Sequence, residues 1–148
     1  MEIDNLIRAL QASIAPCVLI SGIGLLLLCM TNRLGRASDR IWILAKEMRT
    51  MSADETGSYR RQIPVLYKRC VLLRFSIALA AFSIFLIANI ILLLFSTYIL
   101  SVSLTSLIKL LFSTSLISLV LSLLLFLFDV GLTLKALKIE IEPYLKEN

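Results

Sequence analysis

FSIALAAFSIFLIANIILLLF, residues 75–95, runs twenty-one positions without a charge. A helix rises 1.5 Å per residue and needs about 20 apolar residues to cross the hydrocarbon core of a bilayer. The segment therefore reads as a membrane span. Two further uncharged runs lie near Ile14–Met30 and Leu110–Phe128. The chain of 148 residues is 59% hydrophobic with a mean hydropathy of +0.92, richer than a soluble domain. Three spans leave no room for a separate soluble catalytic domain.

Charge is distributed unevenly around these runs. Between Thr31 and Arg74 lie Arg33, Arg36, Arg40, Lys46, Arg49, Arg60, Arg61, Lys68, Arg69 and Arg74, against Asp39, Glu47, Asp54 and Glu55. Ten cations less four acids leave +6 in this segment. Short connections rich in Lys and Arg stay in the cytoplasm. The expected topology places the N-terminus outside, the middle segment inside, the short turn after the second span outside and the C-terminus inside. Basic residues flanking spans meet anionic headgroups, and no basic stripe with interleaved aromatics argues for nucleic acid. The N-terminus carries Glu2 and Asp4 against Arg8, unlike the basic opening of a cleaved signal peptide. Cys17, Cys29 and Cys70 are odd in number and fall at spans, so they read as small hydrophobes rather than a disulfide framework.

The expected fold is all-α, an integral membrane helical bundle of three transmembrane helices that extend into the cytoplasm, forming one domain. Ile3, Leu6, Ile7, Leu10 and Ile14 recur at helical spacing, which predicts an outer amphipathic helix over 1–12. Ala15–Pro16 then marks a bend or the start of the first span, because proline suits a first turn. Leu27, Met30, Leu34, Ala37, Ile41, Leu44, Met48 and Met51 step by alternating threes and fours. That unbroken heptad carries one helix over 13–51 and serves either as a core face or as an intermolecular coiled coil. Residues 52–63 read as a cytoplasmic turn, and Pro64 opens a second helix over 64–98. Residues 99–106 form the outer turn. The third helix covers 107–142 until Pro143 ends it, and 143–148 is a tail.

No histidine occurs, which removes the commonest general base and metal ligand. No phosphate-cradling glycine loop, metal-spaced cysteine cluster or nucleophile elbow is present. Neither an enzyme nor a cofactor is expected. Ser115, Ser118, Ser122 and Asp129 share one face of the third span. The stripe either lines a wet pathway with Asp129 as an inner-mouth charge or lets helices approach and bond. Cys17, Ser21, Gly24 and Leu28 on the first span, and Ser76, Ala80 and Ser83 on the second, read as close-contact faces. Asn89, an amide deep in a span, needs a partner in the bundle, in another copy or in a wet cavity. Asn32, Arg33, Arg36, Asp39 and Arg40 form a candidate interface, with an i,i+3 pair expected between Arg36 and Asp39 and the arginines suited to phosphate.

The segment Asn32-Arg33-Leu34-Gly35-Arg36-Ala37-Ser38-Asp39-Arg40, with Ile14-Ala15-Pro16 upstream and a basic lead into a two-span hairpin, resembles the bacterial membrane family called domain of unknown function 2721. The resemblance covers nearly the whole chain and implies a bacterial inner membrane, but no activity. In topology alone the chain is also similar to the ExbB/TolQ/MotA stator family, whose rings surround a proton-linked partner. It lacks that family's glycine- and threonine-rich span motifs. Two functions follow as expectations. One is a homo-oligomer, ring-shaped in one form, that conducts or gates small ions. The other is a non-conducting scaffold or accessory subunit that docks a partner protein or anionic lipid through its basic helix.

Overall fold

The computed structural model describes residues 2–49, 56–100 and 105–145, and side chains over most of 7–49, 63–97 and 105–133. It is all helical among the described residues. Helix α1 spans Glu2–Glu47, α2 spans Thr56–Leu100 and α3 spans Thr105–Leu145. Each contains a stretch long and apolar enough to cross a membrane. Only 11%, 28% and 17% of the most apolar windows of α1, α2 and α3 is buried inside the protein. Leu25, Leu92 and Phe128 are among the many large apolar residues that face outward. Such a surface is unstable in water, where apolar patches of this extent drive association. Hydrocarbon removes that cost, so the chain is a multi-pass membrane protein.

Three boundaries differ from the sequence expectations. No separate helix over 1–12 exists; α1 continues through Pro16. Helix α2 begins at Thr56 and passes through Pro64, which the sequence placed at its first turn. Helix α3 reaches Leu145, beyond Pro143. Proline forfeits only one i→i−4 bond, and each of these long helices continues across that gap. Helix α1 ends at Glu47 with a turn closed by Met48 N donating to the Leu44 carbonyl at 3.0 Å and Arg49 N to the Lys46 carbonyl at 3.2 Å. The remainder of the expected cytoplasmic and outer turns, at 50–55 and 101–104, and the tail from 146 lie outside the described residues.

The helices contribute to two compact units. The first comprises 1–29 and 77–122. Its core is Ile23 of α1 with Ala80 and Ile87 of α2, surrounded by Leu19, Ile20, Leu27, Ile84 and Leu119. Two hydroxyls bridge α2 and α3 in this unit. Ser83 Oγ donates to the Ser115 carbonyl at 2.9 Å, and Ser118 Oγ donates to the Leu79 carbonyl at 2.8 Å. Moving down α2 corresponds to moving up α3, so the two segments are antiparallel. Small side chains at 80, 83, 115 and 118 permit the backbone approach these bonds need.

The second unit comprises 30–76 and 123–148. Its α1 core residues Met30, Ala37 and Leu44 are buried, while Leu34, Ile41 and Met48 are half-buried. The heptad thus faces the chain's own helices, which is the core-face alternative. Leu73 and Ser76 of α2 are fully buried, and Ser76 Oγ lies 3.5 Å from Met30 Sδ.

Candidate functional site

Asp129 is the centre of the second unit's polar cluster. The sequence ends an apolar run with this acid, and helical geometry turns it inward, where its side chain is fully buried. Arg69 of α2 donates from Nε to Oδ1 at 3.2 Å. Arg33 of α1 approaches Oδ2 with Nη2 at 3.3 Å. That contact is close enough for strong attraction but not aligned as a hydrogen bond, so Oδ2 is held by charge alone. Thr133, one turn along α3, donates to the Asp129 carbonyl at 2.8 Å. Its oxygen accepts from Arg69 Nη2 at 2.6 Å and from Arg33 Nη2 at 3.2 Å. The Arg33 guanidinium also sits 5.3 Å from the centre of the Phe126 ring, within cation–π range. One residue from each helix is therefore joined in a single ionic cluster with two cations and one anion.

A cleft of about 360 Å³ lies against this cluster, lined by Arg33, Arg36, Ala37, Arg40, Leu66, Arg69 and Thr133. Arg33, Arg36 and Arg40 recur at three and four residues, so they share one face of α1. Arg36 and Arg40 are exposed. Neither is paired with an acid among the described residues, and the expected Arg36–Asp39 pair is not formed: both side chains are exposed. Among the described side chains, four arginines against Asp129 leave the cleft with a surplus of three positive charges.

The structure distributes the sequence-derived candidates as follows. Arg33, Arg36 and Arg40 come together, and Asn32 and Asp39 stay exposed. Ser115, Ser118 and Ser122 are buried within the first unit, where Ser115 Oγ donates to the Phe112 carbonyl at 2.8 Å and Ser118 bridges to α2. Asn89 donates from Nδ2 to the Phe85 carbonyl of its own helix at 2.7 Å. The Ser76–Ala80–Ser83 face is completely buried. The Cys17–Ser21–Gly24–Leu28 face is not packed against the chain's own described helices: Cys17, Ser21 and Leu28 are exposed, and space for a Cβ at Gly24 is open. Sequence patterning does not single out Arg69 and Thr133 as site residues. The available signal was Asp129, the only acid between Glu55 and Glu140, which needs a cation when it closes an apolar helix. No group of three His, Cys, Asp or Glu residues suited to a metal occurs among the described residues.

An all-helical protein with three membrane-spanning stretches and a basic cleft over a buried carboxylate is the class this geometry defines. The family model "Protein of unknown function (DUF2721)" matches residues 13–139, and the chain belongs to that family. No curated protein and no solved structure matches the chain.

Proposed function

We propose that this protein is a non-conducting, non-enzymatic scaffold or accessory subunit of the bacterial inner membrane that docks an anionic partner through the basic cleft. The observation that carries this reading is the pair Arg36 and Arg40, exposed along a cleft already positive from Arg33 and Arg69 and without an acid paired to them among the described residues. Uncompensated arginines in a concave site cost self-repulsion and gain it back only when an anion arrives. The ion-conducting assembly has less support. Its pathway needed the serine stripe open to water, and the Ser118 hydroxyl is engaged by a backbone carbonyl across the α2–α3 contact.

The excess of Lys and Arg in the segment that carries the cleft supports a cytoplasmic position for it, with the N-terminus outside. Self-association through the outward Cys17–Ser21–Gly24 face belongs to the same reading, since small residues let a second helix approach closely. The test is reconstitution into liposomes loaded with proton- and potassium-sensitive dyes, paired with affinity recovery from intact membranes. We expect no flux above protein-free liposomes, and reduced recovery of the co-purifying anionic component from Arg36→Ala. Sustained flux that Ser118→Leu abolishes without dispersing the protein would overturn the reading. With Cys17, Cys29 and Cys70 replaced by Ala, thiol labelling of a cysteine placed at Lys109 from outside intact cells, but not of one at Arg49, checks the orientation.

A further inference from the structure

We infer that the cleft lined by Arg33, Arg36, Arg40, Arg69 and Thr133 is a binding site for the phosphate headgroup of an anionic phospholipid. The inference rests on the docking reading above and names its ligand.

Four features of the site select a phospholipid phosphate. The first is donor chemistry. All four cations are arginines, whose planar forks pair with phosphate oxygens two bonds at a time. Arg33 and Arg69 are fixed from behind by Asp129 and Thr133, and Arg36 and Arg40 remain free to close on a ligand. The second is depth along the chain. Arg33 follows the uncharged run ending at Met30 by three residues, and Asp129 directly follows the run ending at Phe128. Residues at this position along a span meet the headgroup layer, where basic pockets between helices bind acidic lipids.

The third feature is charge. A surplus of three positive charges exceeds what one phosphodiester neutralises and suits a headgroup with two phosphates. The fourth is the apolar rim. Leu66 and Ala37 line the cleft beside the arginines. These surfaces suit glycerol and acyl carbons. They offer nothing to inorganic phosphate and little to an acidic peptide. A water occupies about 30 Å³ of liquid, so a cleft of about 360 Å³ accommodates a phosphate with its glycerol.

The experiment is native mass spectrometry of the full chain in a neutral detergent, titrated with dioleoyl cardiolipin, dioleoyl phosphatidylglycerol or dioleoyl phosphatidylcholine. Wild-type protein should hold one tight cardiolipin, bind phosphatidylglycerol less tightly and show no saturable phosphatidylcholine site. Each basic residue near a membrane surface contributes about fivefold in affinity, so Arg36→Gln with Arg40→Gln should weaken cardiolipin binding about 25-fold. The matched pair Arg49→Gln and Arg74→Gln removes the same charge from exposed positions outside the cleft and should change binding only slightly.

Equal losses in the two double variants would reduce the effect to net charge and overturn the site. Unaltered binding in the Arg36/Arg40 variant would do the same. Inorganic phosphate that binds alone and displaces cardiolipin at millimolar concentration would reassign the cleft to a soluble anion. Polyglutamate that binds more tightly than cardiolipin would reassign it to an acidic protein. Either reassignment would leave the docking reading standing, whereas flux in liposomes would remove it.

Discussion

Replacing Asp129 with Asn removes one charge from a site where two arginines converge. Arg33 Nη2 and Arg69 Nη2 both bond the Thr133 hydroxyl, at 3.2 and 2.6 Å, which holds them within about 6 Å of each other. At an effective dielectric constant of about 20, two unit charges at that distance repel by about 3 kcal/mol. The wild-type carboxylate offsets this; the amide does not. Breaking a buried ion pair by removing one partner costs about 3–5 kcal/mol. The side chains of Arg33 and Arg69 are 24% and 14% exposed, and solvent relieves part of the cost, so the lower end, about 3 kcal/mol, is the expected loss. For a chain of this size each kcal/mol shifts the melting temperature by about 2–4 °C. Asp129→Asn should therefore melt about 6–12 °C below wild type in an uncharged detergent. Adding Arg69→Gln should restore part of the loss, because Arg33 then stands alone, and the double-mutant cycle should show a coupling of at least about 1 kcal/mol. A melting temperature within about 2 °C of wild type for Asp129→Asn, or strict additivity in the cycle, would refute the view that the carboxylate holds these helices together by charge.

Other perturbations read the packing and the backbone. Ser118→Ala removes the bond to the Leu79 carbonyl and should cost about 1 kcal/mol; Ser118→Leu forces a large side chain into the α2–α3 contact and should cost more, about 1–3 kcal/mol, both read by thermal melting. A methyl group added at Gly35 would meet nothing within 4 Å, so Gly35→Ala should gain up to about 1 kcal/mol of helix propensity and raise the melting temperature; a decrease would place an unseen neighbour against α1 at that point.

The spans were legible because uninterrupted apolar runs of span length have no alternative solvent, and the α1 heptad was legible because charged residues frame it on both sides. The corresponding seam of α2 was only partly visible. Leu73, Ser76, Ala80, Ser83, Ile87 and Ile90 are all buried and step by threes and fours, but α2 is apolar on every side there, and periodicity vanishes when the lipid-facing residues are as hydrophobic as the core. The ionic cluster was hidden for another reason. Arg33, Arg69 and Asp129 lie on three helices, and no local period links residues so far apart. The proline boundaries differ because a proline removes only one i→i−4 bond, a loss that helices of 46 and 45 residues sustain at Pro16 and Pro64.

The ionic cluster also bears on how the protein is made. Its charges come from α1, α2 and α3 in turn, so a nascent chain that has delivered only the first two helices carries Arg33 and Arg69 without the acid that neutralises them. The third helix brings that acid and closes the set. An unassembled α3 would likewise leave a lone carboxylate at the end of an apolar span, an unfavourable state that insertion and quality-control machinery can sense. Correct assembly is thereby marked by the pairing of one buried carboxylate with two arginines at a single point.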